Sequence, residues 1–277
     1  MSCDIVLVGD GHGARAALTG LKRAFDRVEV VSEDEELISV AYATAPTFAE
    51  ASAPLAVLAG SRTILGAEEI ARRPVFNVHY SLLPKYRGLH SVVWAMLNDE
   101  AEIGLTIHQV DEGIDTGPIL HQHAERVSKD DTSQDLMERL NAHVAEHLGI
   151  VLREWQDGER DLREQDHEQA TWVARRNLED CLIHFDDDNR QLELFFRALV
   201  EPYPLPAIRC RKGRFEVTGH RLLHRPYRAS SGRVVNVAGA EAFIKTREGL
   251  LVVSELRGKD GTVHPASDIV LLGERLA

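Results

Sequence analysis

Cysteine is scarce: Cys3, Cys181 and Cys210 are the only three in 277 residues. They are too few and too scattered for a disulfide framework or a CxxC metal site. Long apolar runs are missing, so no segment reads as a membrane span. The N-terminus lacks the basic, apolar and small-residue order of a secretory leader. Positive charge is the scarcer sign, with 32 Lys and Arg against 44 Asp and Glu and a net charge of −12. Such a chain has no broad field to draw in nucleic acid or an anionic membrane, although one local basic face would suffice for either. Internal repeats and low-complexity tracts are absent too. What is present is an ordinary apolar content of 44%, enough to bury a real core in one large domain or two smaller ones. A reduced, cytoplasmic enzyme is the expectation.

The first half alternates strands and helices. Asp4 to Val8 reads as a buried strand, Gly9 to Gly13 as a tight turn, Ala14 to Phe25 as a helix and Val28 to Val31 as a second strand. This order predicts a right-handed parallel unit. Leu55 to Ala59, Phe76 to His79, Ile103 to Val110 and Ile119 to Glu125 read as further strands, with helices over Gly66 to Arg73 and Ser91 to Leu97. Residues 40–54 carry no firm assignment. Leu136, Leu140, Val144, Leu148, Val151 and Trp155 keep helical spacing behind a Thr132 or Ser133 cap. The charged stretch Glu159 to Gln169 is the linker candidate. Beyond it, a helix from Asn189 to about Val200 is followed by short β segments punctuated by Gly213, Gly232, Gly239, Gly249 and Gly258, a spacing that suggests a small barrel. The expected architecture is α/β: a Rossmann-like parallel-sheet domain over residues 1–165 and a small β-rich, barrel-like domain over residues 166–277.

Chemistry concentrates in Phe76-Asn77-Val78-His79-Tyr80-Ser81-Leu82-Leu83-Pro84-Lys85-Tyr86-Arg87-Gly88 and in Asp111-Glu112-Gly113-Ile114-Asp115-Thr116-Gly117. On a strand, alternation sends Asn77 and His79 to one face and Phe76 and Val78 to the other. The polar pair lies at the carboxyl end of its strand, where open α/β sheets bind ligands. An amide, an imidazole and a carboxylate are placed where one small reaction centre could use all three. A carboxylate beside imidazole raises its pKa by charge attraction, so Asp115 is expected to hold His79 in its charged form. Singly, each residue has a plainer reading. His79 could be a satisfied strand-end histidine, Asn77 a turn residue and Asp115 an Asx-turn between Gly113 and Gly117.

Together these motifs resemble the formyltransferases that use 10-formyltetrahydrofolate, among them glycinamide ribonucleotide transformylase, methionyl-tRNA formyltransferase and the sugar N-formyltransferases. The match covers Asn77, His79, Ser81 to Pro84 and Asp115 to Gly117, and is clearest from Leu55 to Trp155. Phe196-Arg197-Ala198-Leu199 with Pro202-Tyr203-Pro204 is similar to the helix end that opens their C-terminal domain. The resemblance implies catalytic roles for Asn77, His79 and Asp115. It implies a folate pocket lined by Arg62, Thr63, Ile64 and Leu65 and by Val110, Asp111, Glu112, Gly113 and Ile114. It places the Gly9, Gly11 and His12 loop on the acceptor side. Ser81 is expected in the same substrate site, and Lys85 and Arg87 form a basic pair for an acceptor phosphate or the folate's glutamate tail, or else are solvated loop charges.

Two rival signals remain. Gly9-Asp10-Gly11-His12-Gly13-Ala14 fits G-x-G-x-x-A, with Glu33 one unit downstream, as a dinucleotide-dependent oxidoreductase requires. Nothing later in the chain supplies hydride chemistry. His143-Val144-Ala145-Glu146-His147 matches the H-x-x-E-H zinc pattern, but no third ligand is evident, and no metal is expected. The acceptor expected is a small-molecule amine, the amino group of a nucleotide-linked sugar. Methionyl-tRNA and a hydroxyornithine-type amine are the alternatives. Neither nucleic acid nor a membrane is expected as partner. Oligomeric state stays open, a homodimer being common among sugar enzymes of this kind.

Overall fold

The computed structural model describes residues 3–277 as two compact units. The first holds most of residues up to Ala174, and the second holds Arg175–Ala277 together with two short segments, Met96–Glu100 and Lys129–Gln134. The division falls after Ala174, later than the 165/166 boundary expected. The reason is that residues 163–174 stay stitched to the first unit. Arg163 exchanges backbone hydrogen bonds with Ile119, Arg87 donates to the Thr171 carbonyl at 2.9 Å, and the Trp94 indole donates to the Ala174 carbonyl at 2.8 Å.

In the first unit the chain runs β1 (Ile5–Val8), α1 (Gly11–Leu21), β2 (Val28–Val31), α2 (Glu35–Val40), β3 (Ala43–Thr44), β4 (Ala56–Ala59), α3 (Ala67–Arg72), β5 (Val75–His79), β6 (Arg87–Gly88), α4 (Ser91–Leu97), β7 (Glu102–Gln109), β8 (Ile119–Arg126), α5 (Ser133–Gln156) and β9 (Trp172–Val173). Seven strands form one sheet in the order β3-β2-β1-β4-β5-β7-β8. The five from β3 to β5 are parallel, as expected for a Rossmann-like sheet. β7 pairs antiparallel with both β5 and β8, so one end of the sheet is mixed. β1 and β4 are buried along their whole length, which is why they read as unbroken apolar runs. The helical stripe of α5 is likewise buried, at Leu136, Leu140, Val144, Leu148 and Val151. Trp155 ends that stripe with its ring 4.8 Å, edge to face, from Phe76. Phe76 is fully buried, so the apolar face of β5 is anchored and its polar face is turned the other way.

α1 begins at Gly11 rather than Ala14. The Gly-rich turn is tight because two backbones nearly touch: a Cβ on Gly9 would lie 1.8 Å from the Ala59 carbonyl oxygen. Only glycine permits that approach.

In the second unit, α6 (Asn189–Ala198) precedes β10 (Ala207–Cys210), β11 (Gly213–His224), β12 (Val234–Ala238), β13 (Glu241–Lys245), β14 (Gly249–Arg257), β15 (Val263–Pro265) and α7 (Ala266–Ile269). The Asp188 carboxylate caps α6 at the Gln191 N–H, and the Gln191 side chain returns the bond, a capping box. The sheet is antiparallel and β-rich as expected. Its order is β10-β11-β14-β13-β12 with β15 on β14. β10 and β12 do not pair directly, but residues 273–277 join them. Ala277 exchanges backbone hydrogen bonds with Arg209 of β10, while Gly273, Glu274 and Leu276 bond to Val234 and Gly232 at the start of β12. The strand path is thus bridged end to end in the barrel-like manner expected.

Candidate active site

Asn77 and His79 sit on the polar face of β5, and their neighbours across the sheet are set by register. On one side Asn77 lies opposite Leu58 of β4. On the other it lies opposite His108 of β7, and His79 lies opposite Thr106. His108 was not singled out as a site residue on sequence grounds. The only signal was its place on the same strand face as Thr106, and alternation says nothing about which strand pairs with which.

Asp115 reaches this group from the loop between β7 and β8. Its backbone is left-handed, with φ of 54°, a conformation that Asp tolerates better than most residues. One carboxylate oxygen, Oδ2, accepts from the Gly88 N–H at 2.8 Å and faces His79 Nδ1 at 3.5 Å. The other, Oδ1, accepts from Asn77 Nδ2 at 3.3 Å and faces His108 Nε2 at 3.4 Å. The Asn77 Nδ2 also lies 3.2 Å from His108 Nε2. Asn77, His79, Gly88 and His108 thus converge on the single carboxylate of Asp115.

Carbonyl partners settle both tautomers, because a carbonyl only accepts. His79 Nε2–H donates to the Tyr86 carbonyl at 2.9 Å, which leaves Nδ1 toward Asp115. His108 Nδ1–H donates to the Gln109 carbonyl at 3.0 Å; its Nε2 accepts from the Asn77 amide in the neutral ring and donates to Asp115 Oδ1 when the ring carries a second proton.

The electrostatics differ from expectation at His79. Burial pushes its imidazole below the ordinary value, and this outweighs the opposing pull of the Asp115 carboxylate and the Tyr86 carbonyl. The sequence reading weighed only the nearby charge; desolvation of a ring with 8% side-chain exposure wins. Asp115 moves the other way. Burial raises it, but the His108 hydrogen bond, the charge of His79 and the Gly88 N–H together bring it down to about 2. The resting site therefore holds an ionised carboxylate beside an imidazole that is kept neutral at pH 7.

Around this centre the expected site residues divide. Leu65 is buried in the apolar cluster formed by Val6, Val8, Ala56 and Leu58, and Val110 packs against the same cluster. Each of the two loops expected to line the folate pocket thus packs one residue onto the same apolar cluster. Ile64 and Ile114 stand out from those loops at 86% and 64% exposure. Arg62, Thr63, Glu112 and Gly113 are exposed as well. Asp111 is used internally: it accepts from Gly113 N–H at 3.1 Å and from the Thr116 hydroxyl at 2.5 Å. Apolar groups beside exposed backbone are a fitting surface for a flat heteroaromatic ring.

Two residues expected to touch substrate point inward instead. Ser81 is buried, and its hydroxyl donates to the Lys85 carbonyl at 2.7 Å, so it closes its own turn. Arg87 is 2% exposed. Its Nη2 donates to Gln165 Oε1 at 2.6 Å and to His167 Nδ1 at 2.9 Å, and its plane lies 5.9 Å from the Trp172 ring. Neither the acceptor phosphate nor the solvated-loop reading suits it. Lys85, by contrast, is exposed.

The Gly-rich turn is also already occupied. The Gly11 N–H, the donor that a dinucleotide phosphate would need, gives its bond to Asp34 Oδ2 at 3.2 Å. Arg15 pairs with the same carboxylate, and Asp34 Oδ1 caps α2 at the Glu36 and Leu37 N–H groups. A protein carboxylate stands where the pyrophosphate of the rival reading would sit. His12 is exposed beside it.

The H-x-x-E-H histidines are not isolated. His143 stacks between His123 and His147, with ring centroids 3.7 and 4.1 Å away, and its Nε2 is 3.0 Å from His121 Nε2. Among the described residues, no group of three or more side chains is arranged to hold a metal ion.

A family profile described as "Formyl transferase" matches residues 6–152, and one described as "Formyl transferase, C-terminal domain" matches residues 176–271. A methionyl-tRNA formyltransferase of Sorangium cellulosum is 37% identical over 131 residues, covering 47% of this chain and 42% of the relative. A second, from Kosmotoga olearia, is 32% identical over 186 residues, covering 66% of this chain and 58% of the relative. The chain thus spans about half the length of these curated relatives. Among solved structures, an N-formyltransferase from Helicobacter canadensis in complex with folinic acid and dTDP-3-aminofucose superposes with a TM-score of 0.67 at 19% identity, over 92% of this chain and 100% of that one. HypX from Aquifex aeolicus in complex with tetrahydrofolic acid gives 0.69 at 14% identity, over 97% of this chain and 47% of that one. At these identities the structural matches speak for the fold.

Proposed function

We propose that this chain, which belongs to the formyl transferase family, moves a formyl group from 10-formyltetrahydrofolate to a primary amine. The observation that carries the reading is the convergence of Asn77 and His79 on the Asp115 carboxylate within 3.5 Å. The amine must attack unprotonated, and the tetrahedral intermediate carries a developing oxyanion. Asn77 supplies a neutral N–H donor at any working pH. His79 is neutral at rest, and negative charge developing beside it would raise its proton affinity. The proton lost by the amine, passed through Asp115 to the facing His79 Nδ1, gives the ring its charge as the oxyanion forms, which is the differential stabilisation that catalysis needs. Asp115 is ionised at rest, orients the imidazole and takes the amine proton, directly or through water; that proton reaches the folate nitrogen as its bond to the formyl carbon breaks, so the free carboxylate and the neutral ring return. The Arg62–Leu65 and Val110–Ile114 loops would hold the folate.

The acceptor we favour is the amino group of a nucleotide-linked sugar. The enzyme of that kind from Helicobacter canadensis matches this fold from end to end, and a net charge of −12 gives no general attraction to nucleic acid. Methionyl-tRNA is the second reading, favoured by the two curated relatives, both methionyl-tRNA formyltransferases. A panel of 10-formyltetrahydrofolate with dTDP- and UDP-linked amino sugars, charged initiator tRNA and hydroxyornithine, read by mass for a formyl gain, decides between them. Formylation of the tRNA alone would overturn the sugar assignment. No formyl gain on any amine, with intact folate at the end, would overturn the activity.

A further inference from the structure

The segment after α5 returns to the catalytic loop and grips it from behind. Gln165 is 6% exposed. Its Nε2 donates to the Asp115 carbonyl at 2.9 Å and to the Gly117 carbonyl at 2.7 Å. Which end of the amide faces those carbonyls is fixed by Arg87, whose guanidinium can only donate and so claims Oε1, at 2.6 Å. Arg87 is itself held by His167. Its strand β6 pairs with β9, placing Gly88 beside Val173. Gly88 then gives its N–H to Asp115 Oδ2. The same strap thus holds Asp115 twice, by its backbone through Gln165 and by its carboxylate through Gly88.

This matters because Asp115 occupies a left-handed conformation, with φ of 54°. A residue with a Cβ holds that state only where its surroundings keep it there. Two amide donors bridging the carbonyls on either side of Thr116 oppose relaxation of the loop. A rotation there would swing the carboxylate away from Asn77 and His79, which it meets at only 3.3 and 3.5 Å.

We infer that Gln165, oriented by Arg87, is a positioning residue that holds Asp115 in reach of the reacting groups. The inference rests on the formyl-transfer reading of the Asn77, His79 and Asp115 site. Gln165 touches no substrate. It acts through the loop, and displacements of about 1 Å at a reacting group cost on the order of 10²-fold in rate.

The test is Gln165→Glu. The variant keeps the size of the side chain and an acceptor for Arg87, but it replaces both donors with oxygens that face two carbonyls. The expected result is a fall in kcat of roughly 10- to 100-fold, with KM for 10-formyltetrahydrofolate within about twofold and a wild-type melting profile. A second readout is independent of turnover. The Asp115 carboxyl, followed by NMR titration, should move up toward its ordinary value as Gly88 and the histidines lose hold of it. Wild-type kcat with an unmoved Asp115 titration overturns the inference, as does a KM that rises in step with the loss of kcat. Should Gln165→Glu fail to fold, Arg87→Met keeps both donors but frees the amide to turn. It must lose kcat in the same sense, and wild-type kcat there overturns the inference equally. Asp115→Asn is run alongside. An inactive Asp115→Asn with a normal Gln165→Glu removes only the positioning role, whereas an active Asp115→Asn removes the underlying mechanism.

Discussion

Changing Asp115 to Asn tests the site most directly, because the substitution keeps shape and removes only charge and basicity. Asn stands in for the protonated acid, so the linkage free energy of the carboxyl estimates its cost to stability. The group titrates at about 2 instead of 3.8, and each pKa unit is worth about 1.4 kcal/mol. Ionised Asp115 therefore contributes about 2 kcal/mol. The folded pKa is depressed, so this contribution is complete above about pH 4 and disappears as pH falls through 2. At pH 7 Asp115→Asn should melt about 4–8 °C lower, and the gap to the native protein should close in acid. Catalysis should suffer more. Losing a general base typically costs 10²–10⁴-fold, roughly 3–5 kcal/mol of barrier. The assay is formyl gain by mass on the acceptor found by the panel, with melting by calorimetry at pH 7 and pH 3. Activity above about a tenth of the native rate would refute the assignment of Asp115 as proton acceptor. A stability gap that persists unchanged at low pH would refute the electrostatic account of its lowered pKa.

Other consequences are equally open to measurement. Gly88 has φ of 104°, and a Cβ there would lie 2.2 Å from the Val173 carbonyl oxygen, so Gly88→Ala should displace the N–H from Asp115 and cut kcat at least tenfold, checked by steady-state kinetics against circular dichroism. Phe76→Ala empties a fully buried site against Trp155 and should cost about 3–5 kcal/mol in urea unfolding, whereas Asn77→Ala on the opposite face should spare stability and lose activity. The histidine stack should make the protein acid-sensitive. His121 is lowered to about 4, first by burial and then by Arg160, His147 and His123, with Glu154 pulling the other way; His143 is lowered to about 4, first by burial and then by His123, His147 and His121, with Glu125 pulling the other way. Because their folded pKa lies below the unfolded value near 6.5, this part of the stability is intact above pH 6.5 and drains away toward pH 4. A full shift is worth about 3 kcal/mol per ring; water reaching the half-exposed rings reduces this to about 2 kcal/mol for the pair. His143→Gln should flatten the melting temperature between pH 7 and pH 5, and an unchanged slope would rule the stack out as its source.

The division between what could be read early and what could not follows the range of the interactions. Strand alternation is local, so Asn77 and His79 on one face and Phe76 on the other were legible from four consecutive residues, and helical spacing placed α5 to within a residue or two. The family motifs supplied Asp115. Sheet register is not local. That β7 runs antiparallel beside β5 and delivers His108 to Asn77, 31 residues away in sequence, depends on a pairing that no window of sequence contains. Arg87 illustrates the same limit from the other side. A basic residue in a polar loop looks like a ligand for anions, and only the return of the chain after α5 turns it inward onto Gln165. The glycine-rich turn needed Asp34, contributed from beyond β2, before its empty-looking amide could be seen as taken.

The order of the polar groups along the chain and the face each one occupies were properties of the sequence alone, because they depend on covalent spacing and backbone periodicity. Which groups meet, and in what protonation state, was decided by the tertiary structure. Burial of the ring, which made His79 a neutral base instead of a standing cation, depends on neighbours brought from β7 and from the loops that carry Tyr86 and Asp115, and desolvation has no meaning until those neighbours are in place.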